Sequence, residues 1–103
     1  MGTVIVRYET KPDRADENEE LVEKVFAELA ERQPDSFRYA SFRLQDGVSF
    51  VHVVTETEGG SNPMSLADLP AFQEFQRKIA DRCAVQPAAQ GATIVGAHRF
   101  FAD

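Results

Sequence analysis

The stretch Phe50-Val51-His52-Val53-Val54 (FVHVV, residues 50–54) decides the fold of this chain. Side chains of a strand alternate between two faces, so Phe50, His52 and Val54 share one face and Val51 and Val53 share the other. An antiparallel sheet with one wet face alternates apolar with polar residues, but this strand is largely apolar on both sides. Two helices can cover one face of a small sheet. We therefore expect the other face to pack against a second copy of the chain.

The strand belongs to a predicted hairpin. Alternating runs over residues 37–45 and 48–57 flank the dipeptide Asp46-Gly47, which is the strongest short hairpin signal and predicts a type I′ turn with positive φ at both central residues. That turn type sets the register of the two strands. The expected cross-strand pairs are Gln45 with Val48, Arg43 with Phe50, Ser41 with His52, and Tyr39 with Val54.

Four further segments complete the predicted element order. A β-branched run over residues 3–9 is the first strand, and a helix with period-3.6 apolar positions begins at Asp16, with Glu19 completing a capping box, and ends at residues 33–35. A second helix begins at Pro70 and carries one apolar stripe. Residues 86–91 are predicted to be a loop and residues 93–101 the last strand. The apolar stripe of the second helix consists of Phe72, Phe75, Ile79 and Cys83.

This βαββαβ order predicts an α+β, ferredoxin-like fold: one domain over residues 1–103 with a four-stranded antiparallel sheet. The expected spatial strand order is 4-1-3-2, with both helices on one face. The length of 103 residues suits a single core.

Composition excludes several classes of function. The net charge of −6 and the lack of a basic stripe argue against nucleic-acid binding. The single cysteine, Cys83, rules out a disulfide within the chain. No apolar run approaches the length of a membrane span, and we see no secretory signal, so a cytoplasmic location is the expectation.

With this element order, a two-sided apolar third strand and the Phe-rich segment LPAFQEFQRKI at residues 69–79, the chain resembles the dimeric α+β barrel superfamily, and within it the antibiotic biosynthesis monooxygenase family. The resemblance implies a homodimer packed through the sheet face. It also implies small-molecule binding and, for a catalytic member, cofactor-independent oxidation of phenolic or quinol substrates. The haem-degrading members use a Trp that this chain lacks, so haem cleavage is not expected.

Four residues are candidates for catalysis. His52 is the first choice for a base that removes a phenolic proton, and His98, expected on the last strand, is the second. Tyr39 or Asn62 would hold the ring oxygen of a small aromatic ligand. Each has a structural alternative. His52 would be a buried histidine with satisfied hydrogen bonds, and His98 would be an exposed strand residue. Tyr39 would be a core tyrosine, and Asn62 would be a turn asparagine.

The resemblance implies that no cofactor is needed. No metal is expected, because two histidines without a carboxylate at fixed spacing do not provide the three or four ligands that a metal needs. The leading interpretation is a small-molecule-binding protein, catalytic as a cofactor-independent monooxygenase. The alternative is a non-catalytic ligand-binding, regulatory or purely structural homodimer.

Overall fold

The computed structural model describes residues 2–58 and 60–100. It contains one antiparallel sheet of four strands in the order β2-β3-β1-β4, which confirms the predicted order, and it confirms the ferredoxin-like α+β class. Short 3-10 turns precede the first two helices. The strands are β1 (Thr3–Thr10), β2 (Phe37–Arg43), β3 (Ser49–Glu56) and β4 (Cys83–Ala92), and the helices are α1 (Ala15–Arg32), α2 (Pro70–Gln76) and α3 (Ile79–Arg82).

The hydrophobic core lies between the helices and one face of the sheet. Val22 and Val25 of α1 and Phe75 of α2 form one buried cluster with Tyr8 of β1 and Phe50 of β3. His52 lies on that same face, two residues after Phe50, and is also buried. The fold thus places this histidine under the helices and not on the outer face of the sheet.

The β2–β3 register is the predicted one. Arg43 pairs with Phe50, and Ser41 pairs with His52. The predicted turn type is wrong, because Gly47 (φ 79°) has positive φ but Asp46 does not. Asp46 instead accepts hydrogen bonds through Oδ1 from the backbone N–H of Val48 and Ser49. The side chain of Asp46 closes the turn, so one glycine is enough.

The predicted capping box at the start of α1 is also wrong. Arg14 occupies the N-cap position and makes no side-chain cap. Asp16 and Glu19 instead accept hydrogen bonds from Nη1 of Arg43 on β2, at 3.1 and 2.8 Å. A cross-element ion pair therefore uses the two carboxylates that would otherwise cap the helix.

The second helix is shorter than predicted. It breaks after α2 because Lys78 adopts left-handed backbone angles (φ 60°), and four residues of α3 follow. Cys83 then opens β4 by pairing with Thr10. The apolar stripe still contributes Phe72, Phe75, Ile79 and Cys83 to the core cluster.

The last strand was predicted ten residues too late. The Gln86–Gly91 segment expected to be a loop lies inside β4, and residues 93–100 form no strand, while Phe101 lies outside the described residues. Small residues and a proline give the segment weak strand propensity, but pairing with β1 outweighs it. Pro87 falls where the register shifts between Arg7 and Glu9, a bulge that tolerates its missing N–H.

Candidate functional site

A buried histidine lies at the centre of the helix-covered face. The His52 side chain comes from the middle of β3, and the residue is 5% exposed. Its ring stacks on Tyr8 and on Tyr39, with centroids 5.3 and 5.9 Å away, and Phe75 meets it at a tilt at 5.4 Å. Three aromatic side chains from two strands and one helix therefore enclose the imidazole.

Both ring nitrogens of His52 have hydrogen-bonding partners. Nε2 lies 2.8 Å from the Tyr8 hydroxyl. Nδ1 lies 2.7 Å from the Tyr39 hydroxyl and 2.7 Å from the Ser41 hydroxyl. Because Tyr39 and Ser41 are alternate residues of β2, the hairpin register delivers both hydroxyls to the same nitrogen.

The polar contacts continue inward from Tyr8. The side-chain amide of Asn18 donates to the Tyr8 hydroxyl at 2.8 Å. Nε of Arg82 donates to Oδ1 of Asn18 at 3.1 Å. We call this series, Arg82, Asn18, Tyr8, His52 and Tyr39, the buried polar chain. Its consecutive hydrogen bonds link α3 and α1 to the strands β1, β3 and β2.

Arg82 anchors the inner end of the chain. It is 2% exposed, although arginine is rarely buried without a partner. Its Nη2 donates to the carbonyl of Phe75 at 2.6 Å and its Nη1 to the carbonyl of Arg77 at 3.1 Å, which satisfies carbonyls at the end of α2. A cation thus lies at one end of the polar chain, held by backbone oxygens.

Burial sets the charge states along the chain. Desolvation lowers the pKa of His52 from 6.5 to about 4, so the imidazole is neutral at neutral pH. Desolvation also raises the pKa of Tyr8 and of Tyr39, and a hydrogen bond from Ser41 opposes that rise at Tyr39. Both phenols are therefore protonated, and the site holds hydroxyl groups beside a neutral ring.

The structure brings together two of the four predicted site residues, His52 and Tyr39. Asn62 lies elsewhere: its side-chain amide donates to the carbonyls of Arg32 and Gln33 at 2.6 and 3.1 Å, which ties Asn62 to the end of α1. His98 lies in the exposed segment after β4, so its predicted strand position is wrong. Among residues 2–58 and 60–100, no group of three or more His, Cys, Asp or Glu could hold a metal ion.

Three members of the chain, Tyr8, Asn18 and Arg82, are not among the four predicted site residues. Asn18 had a readable signal, since it lies four residues before Val22 and seven before Val25 on the buried stripe of α1, and it is fully buried. A polar residue on an apolar stripe needs a hydrogen-bonding partner. Arg82 carried no such signal, because its burial depends on the break between α2 and α3.

Tyr39 is the member of the chain nearest to solvent. It is half-buried, and its ring stacks on Phe26 of α1 with centroids 5.1 Å apart. Two surface clefts lie away from it, one of about 330 Å³ between α1 and the α2–α3 segment and one of about 450 Å³ beside the ends of β1, β3 and β4. Tyr39 is thus more exposed than His52, whereas the first cleft reaches the opposite end of the chain, because Arg82 contributes to its lining.

Comparison with known proteins identifies the fold. No family model matches the chain, and no curated protein matches it in sequence. Solved structures do match. Rv0793 from Mycobacterium tuberculosis superposes with a TM-score of 0.69 at 14% identity, covering 93% of this chain and 96% of that one. An antibiotic biosynthesis monooxygenase has a TM-score of 0.66 at 19% identity, with coverages of 93% and 100%, and SnoaB, a cofactor-independent oxygenase from Streptomyces nogalater, has a TM-score of 0.61 at 15% identity, with coverages of 93% and 94%. The chain therefore has the antibiotic biosynthesis monooxygenase fold, as the sequence resemblance implied.

In the described part of the chain, no helix has the length and apolar character needed to cross a membrane.

Proposed function

We propose that this protein is a cofactor-independent monooxygenase that oxidises phenolic or quinol substrates and works as a homodimer. One observation carries the catalytic part: a half-buried tyrosine hydroxyl, Tyr39, is held against the neutral, buried imidazole of His52 at 2.7 Å. A hydroxyl in that setting can bind the oxygen of a phenol. The shared fold with a cofactor-independent oxygenase supports the same class by analogy.

In the proposed reaction the substrate oxygen accepts a hydrogen bond from Tyr39. This contact strengthens as the oxygen becomes negative, so it favours loss of the phenolic proton to water. The electron-rich anion then reduces O₂. The aryloxyl radical and superoxide combine at a ring carbon, and loss of water gives a quinone, so that phenol and O₂ yield quinone and H₂O. By the same path, a quinol with a free ring position would yield a hydroxyquinone and H₂O.

His52 has a supporting role in this scheme. The residue is 5% exposed and both nitrogens are engaged, so a substrate meets Tyr39 first. The prediction that His52 itself is the base stays a prediction. The placements of Asn62 at the end of α1 and of His98 in an exposed segment give no support to a part in the same site.

Oxygen uptake tests the proposal. The protein is incubated with a panel of quinols and phenols, with and without O₂, and quinone is followed by absorbance. We expect O₂-dependent turnover that falls about 100-fold in Tyr39→Phe, the size of loss seen when one oxyanion donor is removed. Ser61→Ala, which removes an exposed loop hydroxyl, serves as the matched control. Turnover that is equal in Tyr39→Phe and wild type would refute the assignment.

A second candidate function is ligand binding or a structural role without turnover. The aromatic enclosure of His52 by Tyr8, Tyr39 and Phe75 favours it, since those rings occupy the space that a substrate would need beside the imidazole. Binding of a quinol, detected by calorimetry, without any oxygen uptake would select the ligand-binding form. The absence of both would select the structural form.

The homodimer is proposed from the sheet face opposite the helices. In the isolated chain this face presents Ile5, Val51, Val53 and Val85 to solvent, with Ile5 37% and Val85 51% exposed. Contiguous apolar surface of this kind marks an interface. A second copy would cover it with the same residues in an isologous contact.

Light scattering at micromolar concentration tests the dimer. We expect a particle of twice the 11.5 kDa protomer mass, and Val53→Asp should shift it to the protomer because a buried carboxylate in the interface lacks a partner. Ala67→Asp, the same type of change at an exposed position beside α2, should leave the dimer intact. A wild-type protein that stays at the protomer mass would overturn the proposal.

A further inference from the structure

We infer that Arg82 and Asn18 are positioning residues: they fix the direction of every hydrogen bond in the buried polar chain and hold His52 as the Nδ1–H tautomer. The tautomer follows from the contacts alone. Its meaning for catalysis rests on the proposed function of Tyr39.

The charged end of the chain sets the direction of the first hydrogen bond. A guanidinium only donates hydrogen bonds, so the atom of Asn18 that faces Nε of Arg82 at 3.1 Å must be the amide oxygen. The amide nitrogen then faces Tyr8, at 2.8 Å from the hydroxyl oxygen. The orientation of the Asn18 amide, which is often ambiguous, is therefore determined by its neighbour.

The Asn18 amide in turn orients the Tyr8 hydroxyl. Its oxygen accepts from Asn18, so its own hydrogen needs an acceptor. In the described part of the chain, the other polar side-chain atom within hydrogen-bonding distance is Nε2 of His52, at 2.8 Å. Tyr8 is 1% exposed, and a buried hydroxyl hydrogen without an acceptor is costly. Tyr8 therefore donates to Nε2, and Nε2 carries no hydrogen.

The single hydrogen of the neutral imidazole must then lie on Nδ1. It points at the oxygens of Tyr39 and Ser41, both 2.7 Å away. Tyr39 accepts from the imidazole and keeps its own hydrogen for another partner. Because donors along such a chain polarise one another, the cationic end at Arg82 strengthens Tyr39 as a donor to a bound oxygen anion.

The substitution Asn18→Asp should reverse the chain. The new carboxylate accepts from Arg82, which keeps it ionised, and accepts from Tyr8 as well. The Tyr8 oxygen is then free to accept a hydrogen from Nε2, so Nδ1 becomes the acceptor of the Tyr39 hydroxyl. The change is nearly isosteric and supplies Arg82 with an ion-pair partner, which preserves the fold.

Nitrogen-15 NMR of histidine-labelled protein measures the tautomer, with His52→Gln to assign the signals. In wild type we expect a protonated Nδ1 and an unprotonated Nε2 at His52, and in Asn18→Asp the reverse. Asn62→Asp, the same substitution outside the buried polar chain, should leave the wild-type pattern. A hydrogen on Nε2 of the wild-type protein would overturn the inference directly, even where Asn18→Asp fails to fold.

A measurement of oxygen uptake by Asn18→Asp separates this inference from the proposed function. For a quinol that the wild type oxidises, Asn18→Asp should lower oxygen uptake about 10-fold or more, because Tyr39 then donates inward and no longer to the substrate. A switched tautomer with unchanged uptake would refute the positioning role. A switched tautomer in a protein that turns over no quinol would leave the assigned chain standing and refute the proposed activity.

Discussion

The burial of His52 predicts a loss of stability in mild acid. Its pKa falls from 6.5 to about 4 in the folded protein because the imidazole is desolvated. Between these values the unfolded chain binds a proton that the folded chain does not. Stability therefore rises with pH in this window, is fully present above about pH 6.5, and falls as the pH drops toward 4.

The magnitude follows from the shift. Each pKa unit corresponds to about 1.4 kcal/mol, so the shift of His52 corresponds to about 3 kcal/mol between pH 7 and pH 4. Since small domains are stable by about 5–15 kcal/mol, this is a large share of the total. Carboxylates such as Asp46, whose pKa is lowered by hydrogen bonds from Ser49, add losses at the acid end of the range.

Urea denaturation at pH 7, 6, 5 and 4, at one fixed protein concentration, measures the effect. The test compares the pH slope of wild type with that of His52→Gln, which cannot titrate, so that the carboxylate contributions cancel. His98→Gln, a change at the exposed histidine, should keep the wild-type slope. Equal slopes for wild type and His52→Gln between pH 6.5 and 4 would refute the claim that His52 is buried and neutral.

Three further predictions concern local structure, each measured as the free energy of unfolding in urea. Tyr8→Phe should destabilise the protein by about 2–5 kcal/mol because it leaves the Asn18 amide and the His52 Nε2 unpaired. Tyr39→Phe should cost about 1 kcal/mol or less. Equal losses of stability in the two variants would contradict the unequal burial of the two hydroxyls. Gln33→Gly should stabilise by about 0.5–1 kcal/mol, since Gln33 ends α1 at φ 48°, and a loss would contradict that strain. Gly47→Ala should cost about 1 kcal/mol through its φ of 79° alone, because the added methyl has room, and no cost would argue for a different turn.

The hairpin shows how much of the fold was predictable. Its register, with Ser41 opposite His52, follows from the alternation of side chains and from the position of the turn, both of which are local. The two-residue turn type was wrong because the side chain of Asp46 reaches the N–H groups of Val48 and Ser49, a contact that the dipeptide rule does not contain.

The candidate site was half predictable for the same reason. His52 and Tyr39 lie on paired strands of one hairpin, so the pattern that identifies the strands also brings the two side chains together. Asn62 and His98 were chosen by residue type, and their loop and terminal positions depend on contacts that no local pattern encodes.

The sequence by itself determined the element order, the apolar faces and the hairpin register, because side-chain periodicity and turn geometry act over a few residues. Only the tertiary structure decided where β4 begins and which polar groups reach the core. Arg82 meets Asn18 across 64 positions of sequence, and a buried cation of this kind is stable where the folded chain supplies carbonyls and an amide to replace water. The carbonyls and the amide come together around the cation only when the elements pack, so no local stretch of sequence could reveal it.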